Sequence, residues 1–237
     1  MSYSVSKSRQ GRKNLYRFKS AKIVKKRLPL VKGLIKDKTV LDIGSVQHIS
    51  SFESDTNFLF KFLLKYAKSV VGIDKEEAEV DLLKKKGYNI IAGDAESIKL
   101  NTKFDVIMAG NVLEHLSNPG LFLNNMKAHL KNDGKIIITT DNEGGFISFF
   151  HTLCLGYIPE NSDHTMIFNY SHLRELVNRE GLKINKYYFY TQKDMPRHSS
   201  SSIISNVYSG VKHLLLSFFL LLRKNFSPGC ILILTKE

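Results

Sequence analysis

The chain is short of cysteine, with only Cys154 and Cys230 in 237 residues, far apart and without metal-ligand spacing. That argues against a disulfide framework or a zinc site and fits thiols kept reduced in a cytosol. No apolar run reaches the ~20 residues that a membrane-spanning helix requires. No apolar segment follows the N-terminal charges, so a secretory signal is not expected, and no internal repeat is visible. Acidic residues are scarce in one place. Between Lys7 and Lys38 there are thirteen Lys or Arg against one acid, Asp37, so +12 of the net +13 sits there. Such an arm could hold nucleic acid or anionic lipid. The plainer reading is a solvated, partly helical basic leader, because a charge run by itself names no target.

The composition is otherwise that of a soluble globular protein, 43% hydrophobic and 24% charged. The length suits one domain with a substantial core. Residues 1–14 are polar and basic, while 15–36 read as a helix with Leu15, Phe18, Ile23, Leu28, Val31 and Ile35 facing inward, interrupted at Pro29. Strands are expected at 39–43, 69–73, 88–92, 104–109, 135–140, 183–191 and 229–235, with helices at 56–67, 75–86, 118–131 and 172–180. The first five strands are apolar throughout, as when both faces of a sheet are covered. Alternation of strand and helix gives a doubly wound α/β fold of seven strands, mostly parallel, with the last strand antiparallel to the one before it at the sheet edge. Asn118-Pro119 marks a helix start, Ser171 a helix cap, and Gly181 a helix end.

Three strands end in an acid. Val40-Leu41-Asp42-Ile43 runs into Gly44-Ser45, Val70-Val71-Gly72-Ile73 into Asp74, and Asn89-Ile90-Ile91-Ala92 into Gly93-Asp94-Ala95-Glu96. One strand-end acid often only caps the next helix. Three in register make a nucleoside-shaped pocket at the strand C-terminal ends, where open α/β sheets bind ligands. The turn after the first strand holds one glycine, whereas a pyrophosphate-binding fingerprint needs three, which counts against a dinucleotide.

These segments resemble the class I S-adenosylmethionine-dependent methyltransferases. The resemblance covers about 38–190 plus the last strand. Its most specific part is Phe104-Asp105-Val106-Ile107-Met108-Ala109-Gly110-Asn111-Val112-Leu113-Glu114-His115-Leu116-Ser117-Asn118-Pro119, similar to the small-molecule branch (type 11/23-like). Asp163-His164-Thr165-Met166-Ile167-Phe168 also resembles that branch. The resemblance implies a Rossmann-like methyltransferase domain at 37–237, behind a basic arm and helix at 1–36. It implies S-adenosylmethionine as cofactor and methylation of a small, glycan- or lipid-linked acceptor, most often at oxygen. No metal is expected. Asp42 would meet the cofactor's ammonium group, Gly44 and Ser45 its methionine end, Asp74 the ribose hydroxyls, and Asp94 and Ala95 the adenine. Asn111 and Val112 would line the floor near the methyl donor. A hydroxyl acceptor calls for a general base, for which His164, His115 and Glu114 are the candidates. The alternatives are an RNA methyltransferase using the basic arm, which lacks the Asn-Pro-Pro-Tyr-type motif of base-amine enzymes, and a non-catalytic cofactor-binding scaffold.

An insertion at about 192–228 holds an apolar stretch of about a dozen residues, Val211 to Leu222, followed by Arg223-Lys224. It is apolar on nearly every side and must be covered by the domain itself, a second subunit or a bilayer surface. Residues 203–224 with the basic arm would give peripheral contact at the inner face of a membrane for a protein otherwise cytoplasmic.

Overall fold

The computed structural model describes residues 21–46, 59–156, 163–191 and 203–237. Its strands are β1 (Lys22–Val24), β2 (Thr39–Ile43), β3 (Ser69–Asp74), β4 (Ile90–Ala92), β5 (Phe104–Gly110), β6 (Leu130–Asp141), β7 (Leu182–Tyr190) and β8 (Gly229–Lys236). Its α-helices are α1 (Arg27–Ile35), α2 (Leu59–Tyr66), α3 (Glu77–Lys85), α4 (Pro119–His129), α5 (Phe146–Leu155), α6 (Tyr170–Arg179) and α7 (Ile203–Leu222). The sheet order is β1-β7-β8-β6-β5-β2-β3-β4. Every pairing is parallel except those of β8 with β6 and β7.

Alternate residues of each strand face opposite layers, which is why these strands are apolar throughout. On one face Leu41, Ile43, Ile107, Ala109, Ile136 and Ile138 pack beneath α4 and α6 through Phe122, Met126, Leu173 and Val177. On the other, Val40, Val106, Met108 and Ile137 pack with α1, α2 and α3 through Val31, Ile35, Phe60, Leu63, Val80 and Leu83. The chain winds outward from β2 to β3 and β4, then returns to β5 on the other side of β2. That reversal opens a crevice at the C-terminal ends of β2 and β5.

The structure corrects several expectations. Among the described residues there are eight strands rather than seven, because Lys22–Val24 pairs with β7 (Ile23 opposite Phe189) and takes over the sheet edge. The expected helix therefore starts only at Arg27; its earlier part, 15–20, lies outside the described residues. Ile23, expected inward, is 37% exposed. Pro29 does not interrupt α1, since it falls in the first turn, where no backbone N–H has an intrahelical partner. The helix cap is Asn169 rather than Ser171: its Oδ1 accepts the His172 amide at 3.0 Å. β6 begins at Leu130, paired with Phe104, and the pairing resumes with Lys135 opposite Val106, so 131–134 bulge between the two. Asn118 does cap α4, accepting from the Leu121 amide at 3.0 Å, with Pro119 at the first helical position. Among the described residues no helix is long and apolar enough to cross a membrane.

Candidate functional site

The crevice is built from the ends of β2, β3, β4 and β5. At Gly44 the backbone turns with φ +72°, and a Cβ placed there would lie 2.7 Å from Val112 Cγ2. Only glycine allows the ends of β2 and β5 to meet so closely. The amides of Gly44 and Ser45 donate to the Ile73 carbonyl at 2.9 and 3.2 Å. Ser45 Oγ donates to the Asp42 carbonyl at 2.8 Å and accepts from the Ile73 amide at 3.2 Å. The Ser45 side chain thereby stitches β2 to β3.

Asp42 is almost wholly buried, and among the described residues its Oδ1 has no hydrogen-bond partner. Burial pushes its carboxyl up to about 8, against the lowering effects of a Ser45 hydrogen bond and the Arg27 charge. A buried carboxylate with an open oxygen is costly until a donor or cation reaches it. Asp74 accepts the Val46 amide on Oδ2 at 2.8 Å and the Glu76 amide on Oδ1 at 3.2 Å. Each oxygen retains a further lone pair. Asp94, exposed at the end of β4, accepts the Glu96 amide at 2.8 Å. The turn it starts is held from below by Asn125, whose Nδ2 donates to the carbonyls of Ala95 and Ile98 at 3.0 and 2.9 Å. Asn125 was not singled out in the sequence, although a polar residue among Phe122, Leu123 and Met126 on a buried helix face was a usable signal.

The end of β5 carries a second constellation. Asn111 has φ +58°, a left-handed conformation uncommon outside glycine. Its amide donates to the Thr139 carbonyl at 2.8 Å. Its Oδ1 accepts from Arg27 Nη1 at 2.9 Å and Thr139 Oγ1 at 3.2 Å, while its Nδ2 donates to Glu114 Oε1 at 3.0 Å. The carboxamide is thus turned inward, and it is the Asn111 backbone that shapes the crevice floor beside Val112. Glu114 Oε2 accepts from Thr140 Oγ1 at 3.0 Å, and the residue is 1% exposed. Burial raises its carboxyl above the ordinary range, opposed by the Thr140 and Asn111 hydrogen bonds. Held on both oxygens, Glu114 braces the turn.

His115 and His164 are brought together, their rings edge to face with centroids 4.7 Å apart. His115 Nδ1 lies 3.2 Å from the Asp163 carbonyl oxygen. Thr165 pins the loop down. Its amide donates to the Glu114 carbonyl at 2.8 Å and its hydroxyl to the Leu116 carbonyl at 2.8 Å. One ligand atom from each of Glu114, His115 and His164 lies within 4.8 Å of the others, the one group among the described residues with the spacing to hold a metal ion.

Residues 55–138 match the family model described as a methyltransferase domain. Among curated proteins the chain is similar to a ubiquinone biosynthesis O-methyltransferase of Coxiella burnetii, 25% identical over 163 residues, covering 63% of this chain and 65% of the relative. The chain thus spans just under two thirds of that relative's length. Among solved structures it is similar to a SAM-dependent methyltransferase from Archaeoglobus fulgidus (TM-score 0.57, 18% identity, 89% of this chain and 91% of that one). It is also similar to magnesium protoporphyrin IX methyltransferase from Synechocystis, solved with bound SAH (TM-score 0.54, 13% identity, 88% and 78% covered). At these identities the structures speak for the fold. The family model over residues 55–138 and the relatives, with that fold, support a class I S-adenosylmethionine-dependent methyltransferase of the type 11 kind.

Proposed function

We propose that this protein transfers a methyl group from S-adenosylmethionine to a hydroxyl of a small, glycan- or lipid-linked acceptor. The observation that carries the reading is Asp42: a buried carboxyl with an open oxygen beside the Gly44 turn, in line with Asp74 and Asp94 at the next two strand ends. That donor set fits the cofactor. Asp42 suits its ammonium group, Asp74 its ribose hydroxyls, and the Asp94–Ala95 turn its adenine. When bound, the cofactor supplies a methyl group on a sulfonium, already activated for displacement. The chain then has to orient an acceptor and exclude water, and such positioning is worth ~7–11 kcal/mol. The Gly44 turn and Val112 close the floor, and the loop at 163–168 lies against the rim at Glu114 and Leu116. His164 takes the acceptor's proton in this reading, with His115 fixing its ring, a contribution of ~10²–10⁴-fold. The O-methyltransferase named among the relatives supports oxygen as the acceptor atom. Calorimetry with S-adenosylmethionine tests the reading. The wild-type chain is expected to bind and Asp74→Ala to bind at least tenfold more weakly; no binding, or binding untouched by that substitution, overturns it.

The acceptor is met, in this reading, at an anionic membrane surface. α5 and α7 lie side by side through Phe146 and Phe219, stacked at 4.7 Å, and leave Phe149, Leu153, Leu214, Phe218, Leu221 and Leu222 exposed. Arg223 and Lys224 follow, and Lys224 Nζ donates to the Ala21 carbonyl at 3.0 Å, so the basic leader joins the fold beside this apolar face. A second copy would bring two +12 segments together, whereas an anionic bilayer would neutralise them. The protein is expected to float with phosphatidylglycerol-containing vesicles and not with phosphatidylcholine alone. F218D with L221D should release it; Phe219 is unsuitable because it packs against Phe146 and Phe226. Absence of flotation, or flotation indifferent to F218D/L221D, counts against the contact.

A further inference from the structure

We propose that Arg27 is a positioning residue for the methyl-donor pocket, clamping the left-handed turn at Asn111 from the far side of the sheet end. The proposal rests on the methyltransferase reading for the nature of the site and on independent geometry for the clamp. Arg27 opens α1, outside the segments that carry the family resemblance, yet it is only 8% exposed. Its Nη1 donates to Asn111 Oδ1 at 2.9 Å and to Thr139 Oγ1 at 3.0 Å. A Cβ added to Gly110 would stand 3.4 Å from the same nitrogen, so the guanidinium lies against the last residue of β5.

The clamp has a physical purpose. Asn111 at φ +58° holds a left-handed conformation that is strained for a residue with a side chain. Such a backbone persists only where its surroundings over-determine it. Here the carboxamide is fixed from two directions. Arg27 and Thr139 donate to its oxygen, and its nitrogen donates to Glu114, which is itself tied to Thr140. The next residue is Val112, whose Cγ2 closes on the Gly44 turn. The set of Arg27 therefore reaches the pocket floor through Asn111 and Val112 without Arg27 touching the ligand.

Charge makes arginine the suitable residue. Buried carboxyls of Asp42 and Glu114 flank this strand end, with the Asp141 charge acting on Glu114. A buried cation among them is retained because removing it leaves acceptors unpaired in a low-dielectric site. A planar guanidinium can serve two fixed acceptors with directed N–H groups, and a lysine ammonium presents a single flexible point charge instead.

The test uses the full chain with S-adenosylhomocysteine as the probe, so that no acceptor is required. Arg27→Met is expected to weaken calorimetric affinity tenfold or more, and Arg27→Lys to recover part of the loss. Hydrogen–deuterium exchange should speed up across 108–113, where the Asn111 amide is bonded to Thr139, and stay unchanged across 230–236. Unchanged affinity in a folded Arg27→Met or Arg27→Lys protein overturns the proposal, and so does exchange that rises uniformly along the chain. Should Arg27→Met not fold, Arg27→Lys decides the question alone. A wild-type chain that binds no probe defeats the methyltransferase reading itself, an outcome distinct from wild-type binding that the Arg27 variants share.

Discussion

Asp42 holds the strongest internal tension of any single residue in the crevice. Its carboxyl is pushed up to about 8 by burial, so between about pH 4 and pH 8 the ligand-free fold keeps a proton that the unfolded chain has lost. An acid raised in this way makes stability fall as pH rises through that window, with a slope of up to about 1.4 kcal/mol per pH unit. Above pH 8 both states are ionised and the loss levels off. Asp42→Asn carries no such charge. It should gain stability relative to wild type as pH rises from 4 to 8, measured by denaturant unfolding, while losing at least tenfold in affinity for S-adenosylhomocysteine. A parallel pH dependence in the two proteins would show that Asp42 is not the group responsible.

At the scale of elements, β2 and β5 are joined at both ends, and the joint away from the crevice is the easier to probe. Asp105 Oδ2 accepts the Thr39 amide at 2.9 Å and its hydroxyl at 2.7 Å, and Oδ1 accepts Lys131 Nζ at 2.9 Å. The Thr39 backbone and hydroxyl bonds, with Lys131 adding to them, hold the Asp105 carboxyl well below the usual carboxylate range. A depressed acid contributes stability that is present above about pH 4, its unfolded value, and is lost as pH falls below it. Asp105→Asn should therefore cost on the order of 1 kcal/mol at neutral pH. The gap to wild type should narrow on acidification, as read from urea unfolding at pH 7 and pH 3.

The same scale explains what the sequence could and could not reveal. The segments Val40-Leu41-Asp42-Ile43 and Val106-Ile107-Met108-Ala109 are apolar on both faces, and only a two-sided sheet gives that pattern, so the central strands and their acids were legible. Lys22–Val24 was not, because three residues, two of them exposed, carry no periodicity and their pairing is decided by the open edge of β7. The side-chain directions of Ser45 and Glu114 were not legible for a different reason. Residue type and position relative to a strand end were right, but the direction of a side chain depends on partners such as Ile73 and Thr140 far away in sequence. Arg27 was invisible inside a run of cations that one-dimensional reading treats as solvated, although Val31 and Ile35 one and two turns later are fully buried.

Across the whole molecule, residues 21–36 are part of the core and cannot be separated from it as a leader. β1 extends the sheet, α1 supplies Val31 and Ile35 to one core layer, and Arg27 reaches the crevice. Deletion of 1–36, the obvious way to ask what the basic arm binds, should therefore lower the melting temperature by many degrees or leave the protein insoluble. Fully burying one such aliphatic side chain is worth ~1.5–3 kcal/mol, and total stability is of order 5–15 kcal/mol. Thermal unfolding of the truncated chain checks this; an unchanged transition would show that α1 is dispensable. Substituting the cations before residue 21 is the cleaner route to the arm's partner.

The place of β8 bears on how the protein is made. It lies between β6 and β7, with Cys230, Ile231, Leu232, Ile233 and Leu234 all buried, yet it follows every other described strand in chain order. Until it emerges, a nascent chain carries two unpaired strand edges, those of β6 and β7. Closure of the sheet thus follows synthesis of both strands that β8 joins. A premature stop after α7 would release the whole crevice already encoded, on a molecule primed to aggregate.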